Sequence, residues 1–153
     1  MDLNLQFPAG WEQAKEIKFS QGYTMSAPKN YVGTTPISEP ESRAIYDFTL
    51  KNNFKLVIAY HTQGKEIYWN FQNLAPESAK IIGEKFAKAS GYLLTEVPYN
   101  SSFAGYKDWF IQKHIKPGYT VEAGLGENPL SISQFDEIYN DNIGILVLGL
   151  VNA

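Results

Sequence analysis

The 153-residue chain contains no cysteine, so disulfides, thiolate metal ligands and a cysteine nucleophile are all excluded. Histidine and arginine are nearly as scarce. Two imidazoles, His61 and His114, and one guanidinium, Arg43, are the whole supply. Charge is sparse as well: a net of -3 gives no electrostatic footprint for nucleic acid or an anionic membrane surface. No apolar run approaches the roughly twenty residues needed to span a bilayer. Ile143-Gly-Ile-Leu-Val-Leu-Gly-Leu-Val151 is the longest and reads as a helix buried on several sides. The start, Met1-Asp2-Leu-Asn4, lacks the basic stretch and apolar core of a secretory signal, and localisation stays open. Internal repeats, low-complexity tracts and linkers are missing too. What is present is a 44% hydrophobic, 14% aromatic chain, long enough for one domain with its own core.

Helical and strand patterns alternate along the chain, which defines an α/β class. Phe7 to Pro36, rich in Gly, Pro, Ser and aromatics, reads as a long packed loop. Ser38-Glu39-Pro40-Glu41 then supplies an N-cap with a carboxylate three residues on. A helix from about Glu39 to Asn52 follows, with Ala44, Ile45 and Phe48 as its apolar stripe. Phe54 to Tyr60 suits a central strand covered on both faces. Glu66 to Asn70 and Tyr92 to Val97 read as further short strands, and Gly118 to Glu122 as a second inner one. Pro76 to Ala89 forms a helix ended by Gly91, Tyr106 to His114 a short helix closed by Pro117, and Ser131 to Val151 a serine-capped terminal helix.

Two polar residues stand at the ends of apolar strands. His61 leaves the run Phe54-Lys-Leu-Val-Ile-Ala-Tyr60 into a glycine-containing loop, and Glu122 leaves Tyr119-Thr-Val just before Gly124. Carboxyl ends of strands in α/β sheets are where ligands bind. A neutral imidazole can hold a cation, and a carboxylate beside it can take a proton from water. Taken alone, His61 reads more readily as a hydrogen-bonded structural residue. Glu66 and Glu127 are rival bases, but only Glu122 is flanked by an apolar strand. His114, next to Lys113, reads as a surface or helix-end residue, and Arg43 as a surface ion-pair partner. Gly124-Leu-Gly126 lacks the third glycine of a nucleotide loop, and Asn100-Ser-Ser102 is a chance-level glycosylation pattern. Trp69, Trp109 and the tyrosines would suit a sugar-binding groove, but a core this size needs aromatics anyway.

His61-Thr-Gln-Gly-Lys-Glu-Ile-Tyr-Trp69 and Thr120-Val-Glu-Ala-Gly-Leu-Gly-Glu-Asn-Pro-Leu130, together with Asp2 to Trp11 and Pro36 to Ala44, resemble the second half of a zinc carboxypeptidase catalytic domain. Among that family the wording is most similar to bacterial gamma-D-glutamyl-L-diamino acid endopeptidases, and it covers essentially the whole chain in order. The resemblance implies part of a mixed-sheet α/β/α domain. It implies His61 as the third zinc ligand, Glu122 as the general base for the zinc-activated water, and Asn4 as a substrate-carboxylate contact. Tyr99, one residue out of the family spacing before Asp108-Trp109, corresponds to the capping tyrosine. Leu5 stands where typical carboxypeptidases carry an arginine that clamps a free C-terminus, a departure from plain exopeptidase specificity.

The family takes its other two zinc ligands from an upstream His-x-x-Glu, and no such motif occurs here. The oxyanion-stabilising arginine of the family likewise has no counterpart. The chain therefore reads as a partial catalytic domain that binds zinc weakly and turns over no peptide by itself. Two functional classes follow. One is a zinc metallopeptidase acting on peptide or muropeptide substrates, most simply peptidoglycan stem peptides. The other is a non-catalytic module that holds peptide or cell-wall fragments in the same cleft. Exposed sheet edges of a partial sheet predict self-association.

Overall fold

The computed structural model describes residues 1–153. A four-stranded sheet carries the fold: β1 (Val57–His61), β2 (Glu66–Tyr68), β3 (Leu93–Thr95) and β4 (Gly118–Glu122), in the spatial order β1-β4-β2-β3. β1 and β4 are parallel, β2 and β3 are parallel, and β2 and β4 run antiparallel. The sheet is thus mixed, as the resemblance implies, and helices cover both of its faces.

Alternation along the strands divides the core in two. Val57 joins an aromatic cluster of Phe7, Trp11, Phe71, Phe103, Trp109 and Phe110 beneath α1 (Trp11–Ser20), α2 (Pro40–Lys51) and α4 (Tyr106–His114). Ile67, Tyr119 and Val121 face the other way, against Phe86 of α3 (Glu77–Ser90) and Ile145 of α5 (Phe135–Asn152). Tyr119 is fully buried there, its hydroxyl donating to the Ala79 carbonyl at 2.6 Å. Asn142 of α5 donates to the Tyr92 hydroxyl at 2.9 Å, so the terminal helix is locked to the sheet by a buried polar contact as well as by packing.

Several expectations change. Phe7 to Pro36 is not all loop, because Trp11–Ser20 is helical and buries Trp11 and Ala14 one turn apart. α2 turns Ser42 and Thr49 inward rather than Ile45 and Phe48, which are 48% and 56% exposed. Thr49 is held inside by bonds to the Ile45 carbonyl and the Tyr106 hydroxyl. Ser38 does not cap α2; its hydroxyl bonds to Gln6 and Glu39 instead. β1 begins three residues later than the apolar run and includes His61, and it lies at an edge of the sheet with Tyr60 41% exposed. α5 is buried on one side only: Ile145 and Gly149 face the sheet, while Leu146, Val147, Leu150 and Val151 are exposed. No helix is long and apolar enough to cross a membrane.

Candidate active site

β4 lies between two strands that are consecutive in sequence, and this gathers three polar residues at one end of the sheet. His61 pairs with Glu122 in the parallel β1–β4 register, and Glu66 pairs with Glu122 in the antiparallel β2–β4 register. Residues directly paired across strands present their side chains to the same face, so imidazole and both carboxylates stand side by side. The Ala123 amide donates to the His61 carbonyl at 2.8 Å and extends the pairing past the strand end.

The loop from Thr62 to Lys65 passes over the end of β4 and is tied down there. Gly64 donates to the Gly124 carbonyl at 2.9 Å, and Thr62 and Asn128 exchange side-chain and backbone bonds at 2.7 and 3.1 Å. Lys65 reaches α5 through Glu137 at 2.7 Å and Asp141 at 2.9 Å. Gly124 has φ +75°, and a Cβ there would sit 2.5 Å from Leu130 and 2.8 Å from Ile138. Only glycine lets the chain turn directly after β4.

Burial sets the protonation states. His61 is half-buried, and desolvation lowers its pKa, an effect that Asp2 partly opposes. The neutral ring, with a free lone pair, is the form that binds a cation. Glu122 moves the opposite way: desolvation raises it first and the neighbouring Glu66 charge adds to the effect. The result is a stronger base than an exposed carboxylate. Tyr68 donates its hydroxyl to Glu66 at 2.5 Å, and burial followed by that bond raises the phenol's pKa.

These groups open into a cleft of about 510 Å³ whose lining includes Asn4, His61, Tyr68 and Glu122. Asn4 sits in a short 3₁₀ helix, Leu3–Leu5, capped by Asp2, whose carboxylate accepts from the Asn4 backbone amide and side chain at 3.1 and 3.2 Å. Tyr99 is elsewhere. It is 64% exposed, packs edge-on against Phe103 at 5.1 Å between ring centroids, and borders separate surface grooves, while Pro98 and Ser101 beside it line the cleft. Glu127 is exposed in the loop beyond the glycines and is not part of the lining.

Two demoted residues have environments of their own. His114 ends α4 as expected and is partly buried: its ring packs on Trp109 and Phe110, and Nε2 is buried without a partner. Burial, then the nearby Lys116 and Lys113, lowers its pKa. Arg43 forms no ion pair, donating instead to the Ile37 carbonyl at 2.7 Å. The sequence reading also passed over Lys107 and Asp108, which are 3% and 5% exposed and line the cleft as an adjacent pair of opposite charges. Their position inside an aromatic run, Phe103 to Ile111, was the available signal.

No three His, Cys, Asp or Glu side chains converge to hold a metal ion. A catalytic zinc needs about three protein ligands, so these residues fit one position of a coordination sphere, His61, and do not form a complete one.

The comparisons with known proteins bear on the family and the fold. A family profile described as zinc carboxypeptidase matches residues 1–144. The chain is 45% identical over 150 residues to gamma-D-glutamyl-L-diamino acid endopeptidase 1 of Lysinibacillus sphaericus, covering 98% of this chain and 36% of that protein. It is 42% identical over 146 residues to the uncharacterized protein YqgT of Bacillus subtilis (strain 168), covering 95% of this chain and 38% of the relative. The chain thus spans well under half the length of either curated relative. Among solved structures, bovine thrombin-activatable fibrinolysis inhibitor, in complex with tick carboxypeptidase inhibitor, superposes with a TM-score of 0.76 at 20% identity, over 98% of this chain and 56% of that one. Carboxypeptidase A from Helicoverpa armigera gives a TM-score of 0.73 at 19% identity, over 98% of this chain and 41% of that one. The profile covers nearly the whole chain and the fold agrees with it: the chain belongs to the zinc carboxypeptidase family.

Proposed function

We propose that this chain carries the general base and one metal ligand of a zinc metallopeptidase that hydrolyses peptide bonds, with peptidoglycan stem peptides as the substrate class. The observation that supports it is the placement of His61, Glu122 and Asn4 around one cleft. Family membership implies zinc. When bound, that ion supplies Lewis-acid polarisation of a scissile carbonyl and acidifies water. His61, held neutral by burial, is its ligand in this chain, and the remaining ligands come from polypeptide outside the 153 residues. Glu122, its proton affinity raised by burial and by Glu66, takes the proton of the attacking water and hands it to the leaving amine. Asn4, fixed by Asp2, donates its side-chain amide to a substrate carboxylate or carbonyl. The diamino acid endopeptidase relative supports stem peptides as the substrate class.

Two measurements test this reading. In the longer protein, Glu122→Gln should lower kcat on a gamma-D-glutamyl diamino acid peptide by at least about 10³-fold while zinc content stays stoichiometric. Retained turnover would move the base elsewhere. For the 153-residue chain alone, calorimetric zinc titration should show weak binding and peptide assays no turnover. Tight one-to-one binding abolished by His61→Ala would show the site to be complete without further ligands.

A further inference from the structure

Phe103 lines both the cleft and a second groove of about 350 Å³, which shares Tyr99, Phe71 and Gln72 with a third of about 230 Å³. The Tyr99 ring is 64% exposed but firmly supported. It packs edge-on against Phe103 at 5.1 Å, and Phe103 is braced in turn by Phe71 at 6.2 Å between ring centroids. Gly10 makes room for that support, since a Cβ there would meet the Phe103 ring at 2.5 Å. The turn that carries Gln72 is equally fixed. The Leu74 amide donates to the Phe71 carbonyl at 2.9 Å, Asn70 Oδ1 accepts from the Phe71 amide at 2.8 Å, and the Lys107 ammonium donates to the Asn70 carbonyl at 2.7 Å. Within this turn Gln72 takes φ +50°, a left-handed conformation that a non-glycine residue holds at a cost. No hydrogen bond of its own side chain offsets that cost.

Three glutamines reach the larger groove from separate elements: Gln13 on α1, Gln72 in the turn after β2, and Gln112 on α4. Gln6 and Gln134 use their amides on backbone carbonyls of the chain, whereas the amides of these three bond to nothing in it. Each offers two donors and an acceptor. No charged residue lines this groove, and Glu96 is the only one in its neighbour. A phosphate or carboxylate would find no cation here. An apolar segment would strip water from three amides without replacing their hydrogen bonds. A neutral ring with one apolar face and a hydroxyl-rich edge satisfies the aromatic floor and the amide rim together. We propose that the groove between Tyr99 and Gln112 is a saccharide-binding site. A pyranose packs its C–H face on Tyr99, and its hydroxyl or acetamido groups exchange hydrogen bonds with Gln13, Gln72 and Gln112. The site lies outside the cleft of His61 and Glu122, so a glycan held there tethers the chain while the cleft stays open. The inference goes beyond the peptidase reading and does not depend on it.

The test is an NMR titration of the 153-residue chain with tetra-N-acetylchitotetraose, run beside pentaglycine as a peptide rich in amides but without a sugar ring. The saccharide should bind saturably with a Kd of about 1 mM or tighter, shifting the side-chain amides of Gln13, Gln72 and Gln112. Tyr99→Ala should weaken it about tenfold or more, by analogy with the loss of a stacked ring elsewhere. Gln72→Gly, which keeps the left-handed turn, should weaken it about threefold or more. Glu122→Gln should leave the affinity unchanged. Should Tyr99→Ala disturb the backbone amide spectrum away from the groove, Gln72→Gly decides alone. Absence of saturable shifts, shifts centred on other residues, equal affinity for pentaglycine, or undiminished affinity in the deciding variant would overturn the proposal.

Discussion

The two faces of the sheet are built from the same strands and behave as different materials. Toward α3 and α5, Ile67, Tyr119 and Val121 are fully buried among Phe86 and Ile145, and the one polar atom among them, the Tyr119 hydroxyl, is paired. Toward the cleft, alternate positions of those strands hold Ala59, His61, Tyr68, Thr120 and Glu122, half-buried and mostly polar. One face gives its strand positions wholly to packing, whereas the other divides them between the aromatic cluster around Val57 and the cleft. A period of two lets a five-residue strand serve both, so His61 and Glu122 stand on a rigid support without interrupting the dry core.

That contrast can be broken by substitution. Phe86→Ala should cost about 3–5 kcal/mol in urea denaturation, whereas Thr120→Ala across the sheet should cost less than about 1 kcal/mol. Comparable losses would end the distinction. Lys107→Met sharpens it, because a charge buried at the cleft wall should be nearly as costly to orphan as a core phenyl is to delete. A loss of about 3–5 kcal/mol is expected for Lys107→Met, and much less for the double variant that also carries Asp108→Asn. Tyr119→Phe removes one buried hydrogen bond from the dry face and should cost about 1 kcal/mol.

The smallest effect is a pH dependence. His61 and His114 both have folded pKa values below the usual histidine value. As pH falls below about 6.5 the unfolded chain takes up protons that the folded chain refuses, and stability should drop. Glu122 and Asp108, both raised, act with the opposite sign, favouring the folded state as pH falls through their raised values. Comparing the parent with a His61→Gln/His114→Gln variant isolates the histidine contribution. A parent curve no steeper than the variant's between pH 7 and 5 would contradict it.

Strand-end residues were legible because apolar runs and glycines bracket them: His61 and Glu122 meet across β1 and β4. α3 and α4 were equally plain, with Gly91 and Pro117 marking their ends. α1 was hidden, since its N-cap is Gly10 with no side-chain cap and glycine and proline surround it. The inward face of α2 was misjudged because local apolar spacing favoured Ile45 and Phe48, while the interior there takes up Thr49 with the Tyr106 hydroxyl. Lys107 and Asp108 escaped notice because charge in a sequence suggests solvent, and only the tertiary fold shows each as the other's partner.

The insertion of β4 between β1 and β2 also bears on how the molecule assembles. Two strands joined by four residues ordinarily close on each other within microseconds, and here that hairpin is the wrong product. The slot between them must stay open for a strand that arrives about fifty residues later. A premature β1–β2 hairpin is thus the natural kinetic trap of this topology, and refolding should be slow for a chain of this size. His61 and Glu122 meet only across the non-local β1–β4 pairing, so the cleft depends on the contact of longest sequence separation in the sheet.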